Sequence, residues 1–549
     1  MKKRLAFILL VLVLILEKSI AQAPFATMDS INTNNINAAV LVHGDLWWDP
    51  VSHQAHCNFP LNSNNNINFA SSLWMSGYDG SGQLHVTAQT YRQDGNDYWP
   101  GPIDGGVSIA YDSSQKWAKI WKVNRSDIQG FQSLPLHTIS NTIASILTWP
   151  GKGNVYAQGN GGAPLTINND MAPFIDLNGN GIYEPLNGEY PDIKGEQALW
   201  WVFNDNGPSH SQTHGNPLGV VIRAMTYGYN RGTLIDNVVY YEYTITNYSP
   251  NNYNNFRMAI WDDEEVGYYL DDYIGFDSVH RMGIGYNATN DDGLPLGHPH
   301  NTYGMNPPMV GVTMIELPGD AGTSYIPAGS FMFYNNDYSI IGNPTNDTQY
   351  NYYMRSQWRD GTHLKHDPVT GSMVVGPDCN YAFTGDPSDT AGWSECAMNN
   401  SPGDRRFILA SNDFTLNAGE TKKIVWAIVV ADSAGGCGQT NFTKIKTVAD
   451  TAWYIYHNPL PPHPAGVSAL SEGSIKIYPN PANDKLFIAD PGNKNDKAEV
   501  VIVNTLGQKI TVPFDQKEHM LDVSNLPTGV YHLLYSTPGI EKATTFLKQ

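Results

Sequence analysis

After its first two dozen residues this chain has no long apolar run, and it is poor in basic residues. Only 32 Lys and Arg stand against 52 Asp and Glu, for a formal charge of −20. The first lack excludes membrane-spanning helices, which need about 20 consecutive apolar residues. The second excludes a nucleic-acid partner, because an acidic surface repels phosphate backbones. Four cysteines in 549 residues (Cys57, Cys379, Cys396 and Cys437) are too few for a disulfide scaffold. They allow three pairings and sequence does not choose among them, although Cys379 with Cys396 closes the shortest loop. Catalytic signatures are missing too: there is no G-x-S-x-G, no H-E-x-x-H and no phosphate-binding glycine loop. His210 and His214, His298 and His300, and His363 and His366 sit in loops, without the helix that would set a pair on one face for zinc.

What is present begins at the N-terminus. Lys2, Lys3 and Arg4 precede an apolar run from Leu5 to Leu16, and Ser19 and Ala21 form a small-x-small site. Residues 1–21 read as a secretory signal peptide, too short to anchor as a span. No cysteine follows the site, so no lipid anchor is expected, and without the peptide the formal charge becomes −23. The chain is expected outside the cytoplasm, secreted or on the outer cell surface. At this length it should form two or more domains.

Short strand-like runs recur between Gly, Asn and Pro turn signals. In "NVVYYEYTITNYS", Val239, Tyr241, Tyr243 and Ile245 share one face, and Val238, Tyr240, Glu242 and Thr244 share the other. This predicts a half-buried strand of an antiparallel sheet. One amphipathic helix is expected in "TNFTKIKTVADTAWYIYHN", with Phe442, Ile445, Val448, Ala449, Ala452 and Tyr456 on one face. The predicted fold class is mainly β: a large antiparallel β-sandwich-like main region over 22–457 with long loops, and a small C-terminal immunoglobulin-like sandwich over 475–549. The proline-rich stretch 458–474 between them reads as a linker.

The last 75 residues resemble a type A C-terminal sorting domain of the type IX secretion system of Bacteroidota. The resemblance rests on Pro479-Asn480-Pro481 after Tyr478, Leu506-Gly507, Gly529 and Tyr531 within "DVSNLPTGVY", and Lys548 near the end. It implies a partnership with the secretion machinery, passage across the outer membrane, and release or attachment to surface lipopolysaccharide. Residues 24–457 resemble the N-terminal region of an uncharacterised family of large secreted proteins with the same tail. The shared stretches are "LWMSGYDGSGQLHVTAQTYRQDGNDYWPGPI", "DLNGNGIYEPLNGEYPDIKGEQALWWVFNDNG", "DDYIGFDS" and "GDRRFILASNDFTLNAGE". That family has no established activity to imply.

"DLNGNGIYEP" spaces Asp176, Asn178 and Asn180 at alternate positions before Gly181. Calcium takes six to eight oxygen ligands, and this string offers three side-chain donors plus the Ile182 carbonyl. An EF-hand would need an acid where Asn187 stands, so closure is expected from Glu184, Glu189 or Asp192. Asn-Gly is also a turn dipeptide without any metal, but a turn needs no three spaced donors. A second acidic run holds Asp262, Asp263, Glu264, Glu265, Asp271, Asp272 and Asp277, with no Lys or Arg before Arg281. It reads equally as a solvated loop or as a second calcium site made by Asp262, Asp263, Glu265, Asp271 and Asp272.

Aromatics could stack on sugars. In each of Trp47-Trp48 and Trp200-Trp201 the neighbours point to opposite strand faces, so one of each pair is expected in the core and Trp74 and Trp99, in glycine-rich loops, are the better sugar candidates, with core or loop packing the competing reading for each. The expected function is a secreted or surface protein, calcium-stabilised, acting as a binding or structural component, with surface glycan or lipopolysaccharide as partner. The alternative is a secreted hydrolase of polysaccharide, which paired carboxylates in a cleft would support. No catalytic residues are assigned.

Overall fold

A computed structural model describes residues 27–461 apart from 92–94, 104–110, 208, 295, 298–300, 321–324, 390 and 439–440, and residues 476–549 apart from 490–498, 505–508 and 538–539. The signal peptide, His298, His300, Leu506, Gly507 and most of the linker lie outside the described residues. The chain divides into two compact units, up to Pro462 and from His463 onward.

The first unit is built on two antiparallel sheets, each of nine strands among the described residues. One runs in the order Met28–Ile31, Asn37–Leu41, Cys57–Asn58, Asn66–Tyr78, Tyr253–Glu264, Arg405–Ala410, Ser330–Asn335. The other runs Asp272–Asp277, Met282–Asn287, Met309–Glu316, Thr421–Ala431, Val238–Asn247, Val220–Gly228, Gln197–Asn204, Trp99–Pro100. Two faces of apolar alternation explain the layering. Val239, Tyr241, Tyr243 and Ile245 pack in the core shared by both sheets, with Trp201 and Trp426. Val238 and Tyr240 face outward, into a second core capped by the helix Phe442–His457 through Phe442, Ile445, Val448, Ala449 and Ala452. Asn441 is the helix N-cap, and Ile455 is buried where the periodicity predicted Tyr456.

Because the second sheet is covered on both faces, Trp200 and Trp201 are both buried, and Trp47 and Trp48, beside the short strand Trp48–Asp49, are buried in the core shared by the sheets; all four are at most 2% exposed. Trp74, expected in a glycine-rich loop, lies mid-strand in Asn66–Tyr78 and is fully buried. Trp99 is 8% exposed, its ring packed where a Cβ at Gly207 would sit. These two are core residues, not sugar platforms. A disulfide joins Cys396 and Cys437, and Cys57 and Cys379 are free thiols.

The second unit pairs two four-stranded sheets around Leu486, Ile502, Leu521, Leu533 and Phe546. Its sorting-motif residues do local structural work. The Asn480 side chain accepts from Leu547 N at 2.9 Å and donates to Thr545 O at 3.1 Å, clamping the final strand Ile540–Lys548. Gly529 opens the strand Gly529–Thr537, and the Tyr531 hydroxyl donates to Pro527 O at 2.8 Å. Lys548 is 7% exposed and donates to Gln549 O, and Pro479 and Pro481 flank Asn480.

Candidate functional site

Strand alternation sorts the acids at the end of Tyr253–Glu264 onto two faces. Successive side chains of Tyr253–Glu264 point to opposite faces. Trp261 and Asp263 face outward. There Trp261 Nε1 donates to the Tyr334 hydroxyl at 2.7 Å, and Asp263 accepts from the Tyr91 hydroxyl and pairs with Arg406 at 3.0 Å. Arg406 also pairs with Asp404, and it donates to the Tyr91 hydroxyl at 3.0 and 3.2 Å. Carboxylate oxygens of Asp263, Glu265 and Asp404 lie within 4.8 Å of one another. Burial pushes Asp263 up to about 7 against the opposing pull of Arg406, and pushes Glu265 up as well.

Asp262 and Glu264 point the other way, between the sheets. Asp271 takes the amides of Asn287 and Gly293, and Asp272 takes Val266 N at 2.9 Å. The five acids proposed from sequence as one site therefore occupy three surroundings.

Outside Asp263 lies a cleft of about 460 Å³ formed by residues 90–91, 211–214 and 334–350. Rings of Tyr91, Tyr334, Tyr338 and Tyr350 line it, with Gln212, Asn336 and Asn343 among its hydrogen-bonding groups. Gln212 Nε2 donates to the Tyr350 hydroxyl at 2.7 Å, and Asn336 Nδ2 to Asp404 at 3.0 Å. Tyr338 is 80% exposed, on a loop held by Arg359, which donates to the Tyr338 and Ser339 carbonyls. Among the described lining residues there is no acid, lysine or arginine. Sequence reading missed this cleft. Its one local signal is "YNNDYSIIGNPTNDTQYNYY" over 334–353, dense in tyrosine and amides.

The Asp176 loop is a third feature. Asp176 accepts from Gly179 N and Gly181 N at 2.7 Å, and those hydrogen bonds hold its carboxyl below the usual range. Asn178 Oδ1 accepts Asn180 N at 3.0 Å, and Asn180 Oδ1 accepts Ile182 N at 2.7 Å. Glu184 Oε2 collects both amides, Asn178 at 2.8 Å and Asn180 at 2.7 Å. Glu189, fully buried, accepts Leu177 N and Glu184 N, and burial raises its pKa. Glu184 and Glu189 thus join the loop. Asp192 lines a separate cleft with Lys194 and Glu242. Gly179 and Gly181, at φ +75° and +74°, make the left-handed turns that let the chain curl.

Among curated proteins none matches the chain. A solved polysaccharide lyase aligns at 9% identity with a TM-score of 0.19, over 60% of this chain and 34% of that one, so the chain spans about a third of that structure's length. No helix among the described residues is long and apolar enough to cross a membrane. Residues 476–548 match the secretion system C-terminal sorting domain, a tail that engages the type IX secretion machinery and marks a secreted or cell-surface protein.

Proposed function

We infer that the first unit is a binding module for a neutral glycan, seated in the tyrosine cleft and presented outside the cell by the sorting tail. The observation that carries this reading is the lining. The exposed ring of Tyr338 and the half-buried ring of Tyr91 offer faces for sugar rings over the buried rings of Tyr334 and Tyr350, and amides and hydroxyls offer donors and acceptors. With His214 as the one ionisable side chain besides tyrosine, and no acid, lysine or arginine, among the described lining residues, the cleft suits an uncharged ligand. Binding is favoured over glycoside hydrolysis because that chemistry needs two carboxyl groups flanking the bond. Asp263 and Asp404 are not in the lining: they sit behind Tyr91 and Asn336 and share Arg406. The loop Asp176–Glu189 is read as a calcium-held brace of the same unit, its ligands drawn from Asp176, Asn178, Asn180, Glu184 and the Ile182 carbonyl.

Calorimetric titration of the full chain with neutral and anionic polysaccharides tests this. Neutral chains should bind, and Tyr338→Ala should weaken them about fivefold, on the order of 1 kcal/mol for a lost stacking ring. Binding of anionic chains alone, or binding indifferent to Tyr338→Ala, would overturn it.

A further inference from the structure

The outer face of the second sheet carries another cleft, of about 260 Å³. Antiparallel register builds its base. Trp200 pairs with Met225, and Met225 with Glu242; two residues along, Arg223 pairs with Thr244. Residues two apart share a strand face, so these side chains stand on the face that also carries Val238 and Tyr240. Trp200 and Met225 are 2% and 8% exposed and make the base apolar. Asp192 and Lys194 reach the cleft from the segment after the short strand Tyr190–Pro191. That segment is tied down where Asp192 N donates to Pro173 O at 3.1 Å.

The charged side chains of the lining balance: Asp192 and Glu242 stand against Lys194 and Arg223. Lys194 and Glu242 satisfy each other. Lys194 Nζ donates to Glu242 Oε2 at 2.6 Å and lies over the rings of Tyr227 and Tyr456 at 5.5 and 5.0 Å. Arg223 and Asp192 are left open. Arg223 donates to Asp170 O at 2.8 Å and to Thr246 Oγ1 at 3.4 Å, both uncharged acceptors, so most of its five N–H donors remain. The Asp170 carboxylate pairs with Lys152 at 3.1 Å instead. Among the described residues the Asp192 carboxylate has no ion pair and accepts no hydrogen bond. Arg125, on the same side, donates to the Ile193 and Gly195 carbonyls. An unpaired cation and an unpaired anion therefore face one cleft without meeting each other.

We propose that this cleft binds a small zwitterion of amino-acid or dipeptide size, its carboxylate on Arg223 and its ammonium on Asp192. A simple anion would meet the repulsion of Asp192, and a simple cation that of Arg223. A ligand with both charges satisfies the two groups at once. The planar fork of a guanidinium matches a carboxylate bidentately, which sets the ligand's direction. Arg223 and Glu242 lie diagonally across their strand pair, a spacing of about 7–8 Å that a bridging ligand spans and a direct side-chain pair does not. An apolar side chain on the ligand then lies against Trp200 and Met225. The volume falls just below the roughly 300–1,000 Å³ of drug-sized sites, so the ligand is smaller than an oligosaccharide. This cleft and the tyrosine cleft share no lining residue, so the assignment stands apart from the glycan reading.

Calorimetric titration of the full chain tests this, with L-leucine and alanyl-leucine as probes, each beside its amide and its N-acetyl form. At about pH 6 the amine and the carboxylate are both charged. At least one zwitterion should bind, and its two blocked forms, each with a single charge, should bind at least about tenfold more weakly. Arg223→Gln should weaken the zwitterion about tenfold and erase its advantage over the amide. Asp192→Asn should weaken it similarly and erase its advantage over the N-acetyl form. Loss of folding does not produce that crossed pattern. If Arg223→Gln does not fold, the exposed Asp192 decides through Asp192→Asn alone. Binding of neither zwitterion, equal binding of a zwitterion and its blocked forms, or zwitterion binding indifferent to Asp192→Asn would each overturn the proposal. Tyr338→Ala should leave these titrations unchanged, and weaker zwitterion binding in that variant would place the ligand in the tyrosine cleft and refute this site.

Discussion

Asp176 is the leading charged group of its half-buried loop end, so its contribution is readable by substitution. An ion bound by the folded loop and not by the unfolded chain adds about 2.7 kcal/mol when calcium stands a hundredfold above Kd. Thermal melting should therefore show a rise of a few degrees in millimolar calcium, abolished by chelator and much reduced in Asp176→Ala. Asn178→Ala should lose less, because water can replace a neutral donor. Equal shifts in wild type and Asp176→Ala would leave the loop as a turn alone. His280 gives a second residue-scale prediction. Its ring bonds Asp277 at 2.7 Å and Asp450 on the helix at 3.2 Å. The Asp277 hydrogen bond raises its pKa despite burial. Burial pushes Asp277 up, but its bonds to His280 outweigh that and leave it lowered. A raised histidine stabilises fully below its unfolded value of about 6.5, and the gain is lost as pH rises through the folded value. The lowered Asp277 acts above about 3.9 and fades as pH falls. Wild type should thus lose stability from pH 6.5 upward relative to His280→Gln, a difference that denaturant titration across pH reads directly.

At the scale of elements, the helix Phe442–His457 is held by its buried stripe and by the Tyr240 hydroxyl, which donates to Ala452 O at 2.7 Å. Ile445 is fully buried, so Ile445→Ala should cost about 3 kcal/mol in denaturant unfolding, while the exposed Lys444→Ala should cost little. The helix periodicity and the alternation of Val238–Asn247 were legible because each needs only one element's own spacing. The acidic run was legible as acidity and no further. Period-two alternation parts Asp262 and Glu264 from Asp263, but which face meets Gly285 and which meets Arg406 depends on strands more than a hundred residues away in sequence or across the core. The Cys396–Cys437 bridge makes the same point. The shortest loop was available to Cys379, yet the fold brings Cys437 beside Cys396 across 41 residues. Loop-closure entropy assigns that bridge about 4 kcal/mol, so Cys437→Ser should lower unfolding stability by up to that amount under oxidising conditions.

For the molecule as a whole, two compact units separated at Pro462 and His463 predict independent folding. A chain truncated after Pro462 should melt at the temperature of the first unit in the full chain and keep glycan binding, but lose export in its native host. A truncated chain found at the cell surface would refute the division of labour. Sequence by itself determined the mainly β class, the export tail and the loop around Asp176. Each is written in local order: strand alternation, a set of short motifs, and donors at every second residue. Tertiary structure alone decided which tryptophans are core, which carboxylates meet, and where a ligand could lie. The cleft joins residues 90–91, 211–214 and 334–350, and the inner acids join Asn68 to Asp262 across 194 residues. Such sites arise from sheet register and from one sheet packing on another, and no local spacing encodes either.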